Sequence, residues 1–245
     1  MADPFTIIRA VVFVASVFYQ NKKQKKLKAK QAAAEEARKG FTFTTSGEAV
    51  PLPVVYGKNL LGGITVKHHI TSTYTRSSIT GADNFNQGFT NTTASGTKNE
   101  FLHVQHALCQ GGIEGVVGVK INNLDYNDPN QRFNHLIRTH RDGGVADPIA
   151  TANGIPSTNR FTGAAYASST FKLDRDDPQY NGAPEMGFIV KGRRVRTVSA
   201  SYALSSTYTY SNNPAWCLLD YLLNTDFGRG LSTSEVDLKS FYEAA

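Results

Sequence analysis

"EFLHVQHALCQGGIEGVVGVKINNLDY" occupies residues 100–126, and its reading decides the fold. Residues 101–109 are rich in aromatic and branched apolar side chains. They predict a strand covered on both faces. "QGGIEG" then predicts a tight turn with close backbone approach, placing Gly112, Ile113, Glu114 and Gly115 in it. Val116 to Ile121 alternates apolar with small or polar residues, which predicts a second strand. Asn122-Asn123 suits a two-residue hairpin turn, because Asn tolerates the positive φ such turns require.

Working outward, the same signals recur. Residues 41–66 read as β, with Phe41 and Phe43 alternating with Thr. Pro51 and Pro53 confine this stretch to an edge or irregular strand, since Pro cannot donate to a ladder. Tyr56-Gly57 and Gly62-Gly63 mark turns, and Ile64, Val66 and His68 alternate beyond them. Tyr166–Leu173 and Met186–Val198 predict further strands, the latter broken by a turn at Lys191-Gly192. Residues 72–98 and 127–160 carry no sustained apolar period and predict long loops. The fold class expected is α+β, mainly β: mixed barrel or sheet domains with an N-terminal helix and a C-terminal helical hairpin.

The hairpin lies in "SNNPAWCLLDYLLNTDFGRGLSTSEVD", residues 211–237. Asn213 is a suitable N-cap and Pro214 suits the first helical position. Trp216, Leu219, Tyr221, Leu222 and Leu223 make a helix apolar enough to be buried on most sides. Gly228 and Gly230 frame a turn, and Ser232 with Glu235 forms a capping box that should open a second helix.

Charge separates one further region. The formal net charge is +6. Residues 1–40 carry Arg9, Lys22, Lys23, Lys25, Lys26, Lys28, Lys30, Arg38 and Lys39 against Asp3, Glu35 and Glu36, which accounts for all of it. A nucleic-acid-binding body would carry its own basic stripe, so no sequence-specific nucleic acid partner is expected. Residues 5–19 are almost wholly apolar and residues 20–39 are helix-favouring and Lys-rich, with Gly40 as a C-cap. Fifteen helical residues reach about 23 Å, short of a ~30 Å hydrocarbon core. Ile7, Ile8, Val11, Val12, Phe13, Val14, Val17 and Phe18 are therefore read as a helix surrounded by neighbours or lining a lumen. Membrane anchoring or fusion is the alternative. The domains expected are an arm over 1–40, a β-rich body over 41–200 and a helical element over 201–245.

Chemistry is hard to find. His103, His106 and Cys109 are spaced by three on a predicted strand, where positions i and i+3 face opposite ways, so they do not converge on a metal. Asp174-Arg175-Asp176-Asp177 lacks the glycine and terminal glutamate of a calcium loop. No nucleophile–base spacing stands out. No catalytic residue, metal or cofactor is expected, and Cys109 and Cys217 read as two buried free thiols.

Four motifs in order resemble one family. Tyr210–Leu231, "YSNNPAWCLLDYLLNTDFGRGL", is similar to a signature of the tail-tip attachment protein family of lambda-like siphophages and related central hub proteins. The matching positions are Asn213, Ala215, Trp216, Leu218, Asp220, Leu222, Phe227, Gly228 and Gly230, with Pro214 between the first two. "PLPVVYGKNLLGG", "ALCQGGIEGVVGVKINN" and "GFIVKGRRV" resemble the family's earlier elements. The resemblance spans about residues 48–237. It implies a non-enzymatic virion protein at the tail tip, three copies of which form a hub that closes the tail channel and opens for genome passage. The implied partners are further copies of itself, the distal tail ring and other tail-tip proteins, with the tape measure protein in the lumen and transient contact with a host membrane as further candidates. Family members run on well past the second helix, so the chain is either part of a longer protein or a short hub.

Overall fold

The computed structural model describes residues 51–75, 83–87, 100–128, 135–173 and 183–245. The arm over residues 1–40, including Ile7 to Phe18, lies outside the described residues, as do Phe41, Phe43 and Asp174 to Asp177. Among the described residues, ten strands form two antiparallel sheets. They are β1 Lys58–Leu61, β2 Ile64–Thr71, β3 Asp83–Gln87, β4 Glu100–Gln110, β5 Ile113–Ile121, β6 Leu124–Asp125, β7 His135–His140, β8 Ala164–Leu173, β9 Met186–Val195 and β10 Thr209–Tyr210. One sheet runs β1-β9-β5-β6, with β10 also on β9; the other runs β2-β4-β8-β7-β3. The mainly-β expectation holds, as two sheets with every described pairing antiparallel.

Two glycine pairs carry the chain from one sheet to the other. Gly62-Gly63 separates β1 from β2, and Gly111-Gly112 separates β4 from β5. Side chains of β5 and β9 (Ile113, Val119, Met186, Phe188, Val190) pack against those of β4, β7 and β8 (Leu102, Val104, Leu108, Ile137, Phe171), forming the core between the sheets. The β5–β6 hairpin has Asn122 at φ 48° and Asn123 at φ 70°, the geometry of a type I′ turn. Asn122 Oδ1 also accepts from the Glu185 amide at 3.0 Å.

β4 is buried from Phe101 to Cys109, and the reason is a second layer on its outer face. Residues 141–163 fold back over β7 and β8 and contain the short helix α1, Pro148–Ala152. Asn153 donates to Thr75 O at 2.8 Å and accepts from Thr75 N at 2.7 Å, holding this cover to the segment that follows β2. Residues 127–160 are thus not simply loop: they include β7 and α1. Residues 72–98 include β3, paired with β7 from Asp83↔Thr139 to Gln87↔His135. Both strands are short and their polar residues mask the period on which a sequence reading depends.

Two expected turns are strand instead. Gly112 turns, at φ 82°, but Ile113, Glu114 and Gly115 already belong to β5, with Ile113 in the core at 1% exposure. Lys191-Gly192 does not turn at all; β9 continues through it. A Cβ on Gly192 would sit 2.1 Å from Val55 O. The glycine therefore admits the backbone of residues 55–57, whose carbonyls accept from the Gly192 and Arg193 amides at 2.7 Å each.

At the C-terminal end lie α2, Pro214–Leu223, and α3, Leu238–Ala244. The capping box of Ser232 and Glu235 is present, but it closes a single 3₁₀ turn over Thr233–Glu235. α3 is capped by Asp237, whose side chain accepts from Lys239 N. The helices are also less buried than their composition suggests. Leu219 and Asp220 are buried, Trp216 and Leu222 are half-buried, and Leu218 is 52% exposed. Cys109 is buried as expected, whereas Cys217 is only half-buried.

Candidate functional site

The expected motif residues of α2 meet the sheets at one carboxylate. Asn213 accepts from Ala215 N at 2.9 Å, and Pro214 starts the helix without wasting an amide. Two turns on, Asp220 faces β9. Its Oδ2 accepts from Tyr56 Oη at 2.7 Å and from Arg193 Nε at 3.1 Å. The Asp220 side chain is 7% exposed and that of Arg193 21%. Burial, then the hydrogen bond to Asp220 and its charge, push the Tyr56 phenol well above its ordinary range. The hydroxyl is thus a donor at every physiological pH.

The arginine is held on its other side as well. Its guanidinium lies 4.8 Å from the centroid of Phe227, a favourable cation–π distance. Phe227 is placed by the turn after α2. Asn224 Oδ1 accepts from the amides of Asp226 and Phe227 at 2.9 and 3.2 Å. A Cβ on Gly228 would lie 1.9 Å from Tyr221 O, and Gly230 has φ 66°. These two glycines of the motif are demanded by backbone geometry.

The neighbouring Arg194 donates to Glu114 Oε2 at 2.9 Å. Four separate stretches therefore meet at β9: Arg193 binds Asp220, Asp220 in turn accepts from Tyr56, and Arg194 binds Glu114. All four stretches are those quoted above for their motifs. Asp220, Glu114, Phe227, Gly228 and Gly230 could be singled out from the sequence. Tyr56, Arg193 and Arg194 were inside quoted motifs but carried no signal of their own role.

A second charged group is buried on the outer face of the other sheet. Arg138 Nε donates to both oxygens of Asp147, at 3.1 and 2.9 Å. His140 Nε2 lies 3.0 Å from Asp147 Oδ2, and Ala150 N donates to Oδ1 at 2.7 Å. Arg138 and Asp147 are fully buried. Burial alone would raise the Asp147 carboxyl, but the hydrogen bond with His140 and the charge and hydrogen bonds of Arg138 hold it below the usual carboxylate range. Tyr166 stacks between His140 and Phe161, at 4.2 and 4.5 Å between centroids. This group pins the cover of residues 141–163 to β7 and β8.

The two histidines of β4 lie on opposite faces as strand alternation requires, whereas an irregularity between Ala107 and Cys109 interrupts the alternation and Cys109 joins Leu108 in the core between the sheets. His103 shares hydrogen bonds with Thr71 and Thr170 in the outer layer at 2.9 and 3.1 Å. His106 packs on Phe188 between the sheets, ring centroids 5.7 Å apart. Burial lowers both rings to about 4 and raises the Cys109 thiol to about 12. Burial and the charge of Asp220 raise the Cys217 thiol.

Fold and site together define a two-sheet antiparallel protein with a small helical module fastened to one sheet by a shared carboxylate. No protein-family model matches the chain, and no curated protein matches it. Among solved structures it is similar to a chain in the virion of a native gene transfer agent (GTA) particle. That similarity has a TM-score of 0.35 and 18% identity, and covers 62% of this chain and 29% of the other. The match thus spans under a third of that chain's length.

Proposed function

We propose that this chain is a non-enzymatic structural protein of a phage-like virion. In this reading it builds the central hub at the distal end of a long tail. Copies of the chain form a trimer, contact the distal tail ring and other tail-tip proteins, surround a channel that can hold the tape measure protein, and open for genome passage. The observation that carries the reading is the junction on β9. The four stretches that resemble the hub family are far apart in the chain, and the Arg193–Arg194 pair together with Asp220, which also binds Tyr56, ties them into one contiguous unit. Motifs kept for a catalytic centre would gather around a cleft. These gather around backbone approaches, caps and ion pairs, which fix one element against another.

The test is assembly. The purified full chain is expected to give a trimer mass by light scattering, and antibody to it is expected to label one end of tail particles in electron micrographs. A monomer at every concentration together with no tail label would sink the proposal.

A further inference from the structure

We propose that residues 211–245 form a latch: a helical module that undocks from the sheets as one unit while the two-sheet body stays folded. The inference rests on the chain's own contacts and does not require the hub reading.

The module is tied to itself more than to the body. Asn213 Nδ2 donates to Ala245 O at 2.8 Å, linking its two ends. The amides of Arg229, Gly230 and Leu231 donate back to Tyr221, Asn224 and Leu222 at 3.1, 2.9 and 2.9 Å. These bonds close the turn after α2 without help from any strand. Of all residues from 211 onward, only Leu219 and Asp220 are buried. None of them belongs to the core between the sheets. The body therefore keeps its core when the module leaves.

The ties to the body are few and sit near the surface. Among the described residues they are the two bonds on Asp220 Oδ2, the contact of Arg193 with Phe227, the burial of Leu219, an edge contact between exposed Tyr202 and Tyr242, the Lys239 ammonium 5.8 Å from the Tyr202 ring centroid, and a hydrogen bond from Tyr210 Oη to Asn212 Oδ1 at the junction. Arg193 is 21% exposed in the docked state, so water can replace Asp220 on it with little rearrangement. Arg194 remains held by Glu114 on the body. The chain also has a place to pivot. β10 ends at Tyr210 and α2 starts at Pro214, and the exposed Asn212 lies between them. Elements with few buried contacts open at lower free energy than the core, and a module whose one buried polar tie to the body is the Asp220 carboxylate, and whose ends are bonded to each other, opens as a unit.

Hydrogen exchange of the full chain, read peptide by peptide, tests this. Amides of α2 and α3 are expected to exchange together, at least about a hundredfold faster than those of β8. Asp220→Asn is expected to speed α2 and α3 roughly tenfold and leave β4 and β8 unchanged. If Asp220→Asn does not fold, Tyr56→Phe, which removes one of the two bonds, is read in the same way. Exchange of α2 as slow as that of β8, or a variant that speeds helices and sheets equally, overturns the proposal. Oligomer mass measured on the same sample keeps the two readings apart. A monomer that labels no tail and whose module opens alone sinks only the hub, and a trimer whose helices exchange with the sheets sinks only the latch.

Discussion

Replacing Asp220 with alanine strips two donors of their acceptor in one step. Tyr56 Oη and Arg193 Nε both lose the same oxygen, at 2.7 and 3.1 Å. Removing one partner of a fully buried ion pair costs ~3–5 kcal/mol, chiefly because a charge is left without compensation. Here Arg193 keeps 21% exposure and its contact with Phe227, so solvent screens part of that loss. A cost of about 2–3 kcal/mol follows for Asp220→Ala. Asp220→Asn keeps one acceptor and is expected to cost about 1 kcal/mol. The assay is built into the molecule. Trp216 is the single tryptophan and lies one helical turn before Asp220, so its fluorescence reports on α2, whereas far-ultraviolet circular dichroism is dominated by the strands. In urea, the Trp216 transition of Asp220→Ala should move to lower denaturant while the strand signal lags behind. A double-mutant cycle with Arg193→Met should give a coupling of ~1–2 kcal/mol. Coincident transitions with a shift below about 0.5 kcal/mol would refute the idea that this carboxylate holds the module.

Further expectations are open to the same methods. Gly192→Ala places a Cβ 2.1 Å from Val55 O, so β9 and residues 55–57 must separate; a loss of ~3 kcal/mol or more, or failure to fold, should appear in thermal melts. Asp147→Ala leaves Arg138 buried and uncompensated and should cost about 3–5 kcal/mol in urea titrations. Asn123→Gly gives the type I′ turn its preferred second residue at φ 70° and should raise stability by roughly 0.5 kcal/mol. Acid should destabilise in two stages. Burial holds His103, His106 and His135 near 4 in the folded chain, whereas unfolded histidine titrates near 6.5. Between these values the unfolded chain binds more protons, so stability falls as pH drops from about 6.5 towards 4. The depressed Asp147 carboxyl adds a further loss below the ordinary carboxylate range. Urea midpoints from about pH 7.5 down to about pH 2 check both stages, and a flat profile above about pH 5 would contradict the first.

What the chain determines locally was readable without coordinates. Alternation in Val116 to Ile121, the Asn122-Asn123 turn and the Asn213-Pro214 start of α2 are written in neighbours one to four residues apart, where sterics and capping act. Gly192 shows the limit of that range. A glycine after lysine suits a turn as well as a close approach, and only the path of residues 55–57 across β9 decides between them. Tertiary structure also set how deeply α2 is buried. Its apolar residues could have been enclosed, yet only Leu219 and Asp220 are, because the sheet offers it a narrow contact. The same holds for both charged groups. Tyr56 and Asp220 are separated by 164 positions, and no spacing rule links residues so distant. Arg138 and Asp147 lie in a polar stretch whose burial depends on residues 141–163 folding back over β8. Local sequence specifies elements because their energies are local; which carboxylate meets which arginine is settled only when the strands have taken their register.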